Sequence, residues 1–336
     1  MKKGSPFVLI VLICFVLSTL PLVRATEDSW TTKTPMPPQL GGAVRAGIVN
    51  GKIYVMGNSL NFEYDPETDS WVEKTPIPTI RDSFGLAVSQ NKIYAIGGSR
   101  WNQSQNANIH FCTNEVYDPL TDTWETKEPI PTYRSGLWSS TNAVQGKIHL
   151  INSDFHDIYD IATDSWTTGT PMPSPLSYTK FSSTVFDDKI FLLGDTATQI
   201  YDPESETWSL GAASPVGIYM TSACATTGVM APKRIYLFGM TIELFVGTNI
   251  TQVYDPMNDS WALGAPMLTS RSGAACAVVN DTIFVLGGAS GRLQYTLVNE
   301  QYHPIGYIPE FPSWLIAPIF LVTTLIGIFY RNRVKK

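Results

Sequence analysis

Tyr64-Asp65-Pro66-Glu67-Thr68-Asp69-Ser70-Trp71 decides the fold, because its pattern occurs five times along the chain. It returns as Tyr117-Asp118-Pro119-Leu120-Thr121-Asp122-Thr123-Trp124 and as Tyr159-Asp160-Ile161-Ala162-Thr163-Asp164-Ser165-Trp166. Two further copies are Tyr201-Asp202-Pro203-Glu204-Ser205-Glu206-Thr207-Trp208 and Tyr254-Asp255-Pro256-Met257-Asn258-Asp259-Ser260-Trp261. The tryptophans follow one another at 53, 42, 42 and 53 residues, the period of a repeat array. Asp then Pro sets a type I turn, the carboxylate capping backbone donors while the ring fixes φ. The Trp that follows is a large apolar plate able to pack between neighbouring sheets.

Working outward from the turn, each unit reads as four short strands. Residues 85–88 form an apolar strand, Asn91-Lys92 a turn, and Ile93-Tyr94-Ala95-Ile96-Gly97-Gly98 a β-rich second strand. The third strand ends at Tyr-Asp-Pro and the fourth begins at the Trp. Gly97-Gly98 and Gly287-Gly288 let one backbone pass close to another. One such sheet cannot bury both faces alone, so the units must stack radially into a β-propeller. The incomplete copies set the number of blades. The chain begins its pattern with Glu27-Asp28-Ser29-Trp30 and Pro35-Met36-Pro37, a fourth strand with no three before it. It ends with Ile283-Phe284-Val285-Leu286-Gly287-Gly288 and Asn299-Glu300-Gln301-Tyr302-His303-Pro304, a third strand with no Trp after it. Joined, the two fragments complete one sheet and remove its free edge. The expected fold is all-β: a six-bladed propeller of four-stranded antiparallel blades over residues 26–306, about 47 residues per blade. The N-terminal strand completes the last blade.

The Gly-Gly pair, the Tyr-Asp-Pro step and the later Trp, at this spacing, resemble the kelch repeat over residues 27–303. The resemblance implies a propeller of the galactose-oxidase and kelch type. Only two units keep Gly-Gly; the others have Gly57-Asn58, Asn152-Ser153, Gly194-Asp195 and Gly239-Met240. A galactose-oxidase-like copper radical site uses a Tyr–Cys pair with two histidines, and nothing here suggests one. Similar six-bladed kelch propellers include sialic-acid epimerases. A sugar-active enzyme is therefore the alternative to a non-catalytic binding module, and a structural envelope component is a third reading.

The net charge of -6 hides an asymmetry. Lys2, Lys3, Arg24, Arg331, Arg333, Lys335 and Lys336 lie at the ends, so the middle carries 16 basic residues against 29 acidic ones. An acidic body repels phosphate and excludes nucleic acid as a partner. Lys2-Lys3, an apolar run from Phe7 to Leu20 and Val23-Arg24-Ala25 read as a secretory signal peptide over residues 1–25. Residues 307–336 carry Pro309-Glu310-Phe311-Pro312, an apolar run from Trp314 to Tyr330, and a basic end. As a helix the run is about 25 Å long, enough for a thin bilayer, with its basic end cytoplasmic. This tail resembles the archaeal PEF-type sorting signals, with Pro309, Glu310 and Phe311 as the motif. That resemblance implies an archaeosortase-like processing enzyme as a partner. The expected location is the cell surface, with the propeller outside and a transmembrane helix as its membrane anchor. Cys14 would leave with the leader. Of the remaining Cys112, Cys224 and Cys276, the last two occupy matching places in neighbouring units and read as small buried residues.

Candidate site residues come from the two longer units and from the linkers. The 53-residue units expand the loop between strands two and three, at residues 99–113 and 241–251. These fall in blades two and five, on opposite sides of a sixfold ring, and Arg100 and Trp101 lie in the first of them. Loops with aromatic residues on a rigid ring suit binding of a protein, peptide or glycan ligand. Arg81, Arg134 and Arg271 each follow a proline-rich linker at one offset. Arg134-Ser135-Gly136-Leu137 and Arg271-Ser272-Gly273-Ala274 resemble the segment with which kelch substrate adaptors grip acidic peptides. Carried over by position, the three arginines would ring the channel mouth and offer forked donors to carboxylates. The other reading is a structural Arg bonding loop carbonyls. His110, His149, His156 and His303 show no metal-ligand spacing, and no Ser-His-Asp set or phosphate loop occurs, so no metal, cofactor or catalytic residue is expected. Asn102, Asn249, Asn258 and Asn280 stand in glycosylation sequons, each in an expected loop or turn.

Overall fold

The structure, a computed structural model, describes residues 27–242, 246–291 and 294–308. The expected leader, Pro309, Glu310, Phe311 and the apolar tail lie outside them. No helix among the described residues is long and apolar enough to cross a membrane. Residues Glu27–Tyr307 form one compact unit.

That unit contains six four-stranded antiparallel sheets. Blade one is Arg45–Val49, Lys52–Gly57, Leu60–Asp65 and Ser70–Glu73. Blade two is Gly85–Ser89, Lys92–Ile96, Asn114–Asp118 and Thr123–Lys127. Blades three, four and five begin with Thr141–Val144, Phe181–Phe186 and Ser222–Ala225. Blade six takes three strands from the end of the body, Ala275–Val279, Thr282–Leu286 and Asn299–His303, and its fourth, Ser29–Lys33, from the beginning. Trp30 lies opposite Tyr302 in the register, and their rings stack at 4.8 Å.

The strands differ in burial because of where they sit in the blade. Thr282–Leu286 is buried at every position, whereas Ser70–Glu73 is mostly exposed, as an inner and an outermost strand should be. Six apolar clusters each join two neighbouring blades. In one, Val55, Phe62 and Tyr64 of blade one meet Ala277, Phe284 and Leu286 of blade six.

The repeated Tyr-Asp-…-Trp pattern does two separate things. Its first Asp closes the turn: Asp65, Asp118 and Asp160 each accept the N–H two residues on, at 2.9 Å. Its second Asp ties blade to blade. Asp69 accepts the Tyr64 hydroxyl at 2.6 Å and the Thr34 N–H at 2.9 Å, while Trp71 Nε1 donates to the Thr34 carbonyl. Asp122, Asp164 and Asp259 repeat this with Tyr117, Tyr159 and Tyr254 and with the linker N–H groups of Thr75, Glu128 and Ala212. The bonds from Tyr159 and Glu128 hold the Asp164 carboxyl below the usual range. Asp28 makes the sixth junction, accepting Tyr302 Oη and Ala265 N at 2.7 Å each. Blade four has Glu206 at this position, where the Thr170 hydroxyl bonds the Glu206 carbonyl instead.

Chain direction fixes two faces. The blade-to-blade linkers and the loops between strands two and three lie on one face, called here the linker face. The turns between strands one and two and between three and four lie on the other.

Candidate functional site

The three linker arginines do not ring an open mouth. Arg81 and Arg271 are both 0% exposed, each paired with a buried glutamate, Glu115 and Glu300, at 2.7 Å. Arg81 also donates to the Ala95 carbonyl and the Thr113 hydroxyl, and Arg271 to the Val298 carbonyl. Burial pulls Arg271 down to about 10 against the opposing charge of Glu300. Arg134 is half-buried, its Nε and Nη2 bonded to the two oxygens of Asp157 and its guanidinium lying over Phe155. In each case the acid stands two residues before the Tyr of the repeat. Blades four and five carry Gln199 and Gln252 there, which bond linker groups directly, to Ser174 and to Ser214 and Gly217. The position is a peg for the linker, and the arginine is one way to fill it. The glycine pair follows the same logic in blades two and six. A Cβ on Gly98 would come within 2.6 Å of the Asp82 carbonyl, and one on Gly288 within 2.8 Å of the Ser272 carbonyl. Both glycines have positive φ, at 95° and 92°.

Arg100 and Trp101 sit elsewhere, together on a two-stranded hairpin. Ser99–Asn102 pairs with Ala107–His110, with Arg100 opposite Ile109 and Trp101 opposite Asn108. Trp101 is 53% exposed and Arg100 is exposed. His110 at the hairpin's end packs on Tyr133 of the next linker, ring centroids 3.9 Å apart. Blade five has its hairpin at Thr241–Ile242 and Val246–Gly247. A third one, Ala289–Gly291 with Gln294–Tyr295, stands in blade six. Tryptophan spacing could not reveal it, because the Trp of blade six is Trp30, at the other end of the body. The insertions therefore do not form a simple diametric pair. Those of blades five and six pack side by side, Gly247 lying close to Ala289.

A cavity of about 240 Å³ occupies the linker-face end of the central channel, lined from all six blades. Its polar wall includes Arg45, Ser139, Asn142, Ser183 and Thr221, and its aromatic wall Trp138 and Tyr178. Arg45 is its one lining side chain with a formal charge. The guanidinium lies over Trp138, 5.5 Å from the ring centroid, and Nη1 donates to the Val44 carbonyl. Nε and Nη2 have no hydrogen-bond partner, nor has Trp138 Nε1 or Ser222 Oγ. Burial pulls Arg45 down to about 10, with Asp82 acting in the opposite sense. Asp82 is itself pushed up by burial and held back by Arg45. Reading the chain by linker offset missed Arg45. The signal lies in the register: Arg45 pairs with Met56 where Gly85, Ser182, Ser222 and Ala275 pair with the equivalent Ile96, Leu193, Phe238 and Leu286. One repeat carries a long cation where its neighbours carry small residues.

The histidines hold a further difference. His149 and His156 meet across blade three, Nδ1 of the first 3.0 Å from Nε2 of the second, and both are buried. His156 Nδ1 lies 2.7 Å from the Thr170 carbonyl. No group of three or more metal-ligating residues is present among the described residues. Burial, and then the neighbouring His156, pull His149 from 6.5 down to about 3, and burial lowers His156 as well. Both stay neutral in the fold while the unfolded chain takes up protons. Stability is therefore complete above pH 6.5 and falls as the pH drops below it. The expected result is a melting temperature that declines between pH 6.5 and about 5, above the range where carboxylates titrate. Tyr54 and Tyr94 occupy the strand-two place of His149, so His149→Tyr should flatten that decline. An unchanged slope in the variant would count against the account.

Cys112, Cys224 and Cys276 are free, Cys224 buried and Cys276 partly so. Of the sequon residues, Asn258 and Asn280 are exposed in turns of the face opposite the cavity. Asn102 folds back on Gln105 and Ser104 within its hairpin, and Asn249 donates to the Met267 carbonyl.

Residues 80–129 match the Kelch motif. The span covers blade two with the linker arginine and hairpin described above. Among curated proteins, this chain is 31% identical over 153 residues to Kelch repeat and BTB domain-containing protein 12 of Homo sapiens, covering 39% of this chain and 24% of that one. It is 23% identical over 291 residues to Kelch-like protein 15 of Danio rerio, covering 81% of this chain and 42% of the relative. The chain thus spans less than half the length of either. The solved structure of YjhT superposes with a TM-score of 0.64 at 14% identity, covering 80% of this chain and 95% of that one. At that identity the likeness shows the fold alone.

Proposed function

We propose that this protein is a non-catalytic binding module of the cell surface, which presents the linker face of its propeller to a protein, peptide or glycan. The observation that carries the reading is the Arg100–Trp101 hairpin, an exposed aromatic and a free cation standing on a ring pinned by buried ion pairs. Aromatic and arginine anchors on rigid supports are where binding energy concentrates. Export and anchoring rest on the leader over residues 1–25, the Pro309-Glu310-Phe311 motif and the apolar tail. The body ends with a third strand, so Tyr307 leaves it on the face opposite the cavity. Glycans on Asn258 and Asn280, on the turns of the opposite face, would leave the linker face clear.

The test is a peptide, protein and glycan array probed with residues 26–306. Arg100→Ala with Trp101→Ala should weaken the strongest signal by about tenfold or more at unchanged melting temperature. Leu120→Ser with Met257→Ser changes two exposed residues of the opposite turns, 93% and 77% exposed, and should leave it intact. Equal losses in both variants would sink the reading.

A sugar-active enzyme is the second reading, favoured by Asp82, an acid raised by burial beside the channel cation. Turnover of a sugar that disappears in Asp82→Asn while binding persists would establish it.

A further inference from the structure

We propose that the channel cavity is itself a binding site for a small organic monocarboxylate, held by Arg45. The inference rests on the binding reading above only in sharing its face.

An enclosed guanidinium needs a partner, and the fold supplies one for the two fully buried arginines: Glu115 for Arg81 and Glu300 for Arg271. Arg45 is half-buried, with its Nε and Nη2 enclosed. For Arg45 it supplies a backbone carbonyl and an aromatic face, and leaves Nε and Nη2 unmet. The other unpartnered polar atoms on residues of this wall are Trp138 Nε1, a donor only, and Ser222 Oγ, a hydroxyl able to donate. A wall with a surplus of donors calls for an acceptor, and the fork of an arginine matches a carboxylate in geometry. Arg45 lines the cavity, and its Nε and Nη2 are enclosed beside it, so binding an acid requires the side chain to turn these donors toward the guest. Charge sets the valence of the guest. One cation stands against Asp82 and an acidic body, so a single negative charge is favoured over a phosphate dianion. Volume sets the size: about 240 Å³ is below the span of drug-sized pockets. The remainder of the guest would lie against Trp138 and Tyr178, within reach of Ser139, Asn142 and Ser183.

Two acid–amide pairs of matched shape test this on the whole body: lactate with lactamide, and mandelate with mandelamide. Calorimetry should show saturable binding of an acid, with its amide and inorganic phosphate at least about tenfold weaker. Arg45→Gln should lower acid binding by about tenfold or more while changing the melting temperature little, since Arg45 makes no close ion pair and Asp82 loses only a longer-range attraction. Cys276 lines the same cavity, so alkylation of its thiol, followed on the peptide that contains it, should slow with the acid present. Absence of acid binding, equal binding of acid and amide, or full binding by Arg45→Gln each overturns the proposal. An array ligand that persists in Arg45→Gln while no acid binds would leave the surface reading standing without this one. Arg45-dependent acid binding with a blank array would do the reverse.

Discussion

Arg271→Ala is expected to destabilise the propeller by about 3–5 kcal/mol, because it leaves Glu300 charged, 1% exposed and without its partner. The loss extends beyond the pair. Arg271 Nη1 also holds the Val298 carbonyl, and the backbone of Arg271 bridges Thr248, so the linker into blade six loses its peg. Arg271→Met combined with Glu300→Leu should recover much of the stability. The native pair is imperfectly satisfied, with Arg271 Nε and Glu300 Oε1 both lacking partners, and apolar side chains of similar volume avoid that cost. Melting temperatures of the single and double variants decide the matter. A single variant as stable as the parent would mean that this arginine is not a structural peg.

Deleting residues 28–33 is expected to abolish cooperative unfolding. The deletion removes the outermost strand of blade six, with Trp30, whose ring stacks on Tyr302, meets Phe238 edge-on and donates to the Ala265 carbonyl. It also removes Asp28, acceptor for Tyr302 and Ala265. Asn299–His303 would become a free edge beside exposed apolar surface, a template for pairing with a second chain. Size-exclusion chromatography should show oligomers, and calorimetry a broad, weak transition. The milder Asp28→Ala keeps the strand and should cost about 1–3 kcal/mol through two unpaired donors. A monomeric, cooperatively melting deletion variant would refute the closure.

The ring was legible in the sequence because its joints are written into the repeat. Tyr, the second Asp and Trp recur together since five of the six junctions use all three, and the junction at Asp28 and Tyr302 uses one half from each end of the body. The site was less legible, for reasons of partnership. Arg81 and Arg271 have the offset of ligand-gripping residues, and only Glu115 and Glu300, far along the chain, show that they face inward. That clue was present, since Glu115, Asp157 and Glu300 precede their Tyr by two places only in the blades that carry the arginine. Arg45 stands out once strands are aligned by pairing, because its neighbours in that register are small. His149 and His156 were visible as residues but not as a pair, since their contact depends on cross-strand geometry.

The partners Asp28 and Tyr302 are 274 positions apart. Of the body's paired strands, synthesis delivers Ser29–Lys33 first and its mate Asn299–His303 last. That first strand of the body must therefore wait, unpaired, until the other blades have been made. Interior wedges can dock on one another as they emerge, but the final seam can be sewn only when translation of the body has finished. A ribosome that stalls late in the message leaves a product with most of its apolar surface packed and no means of completing itself.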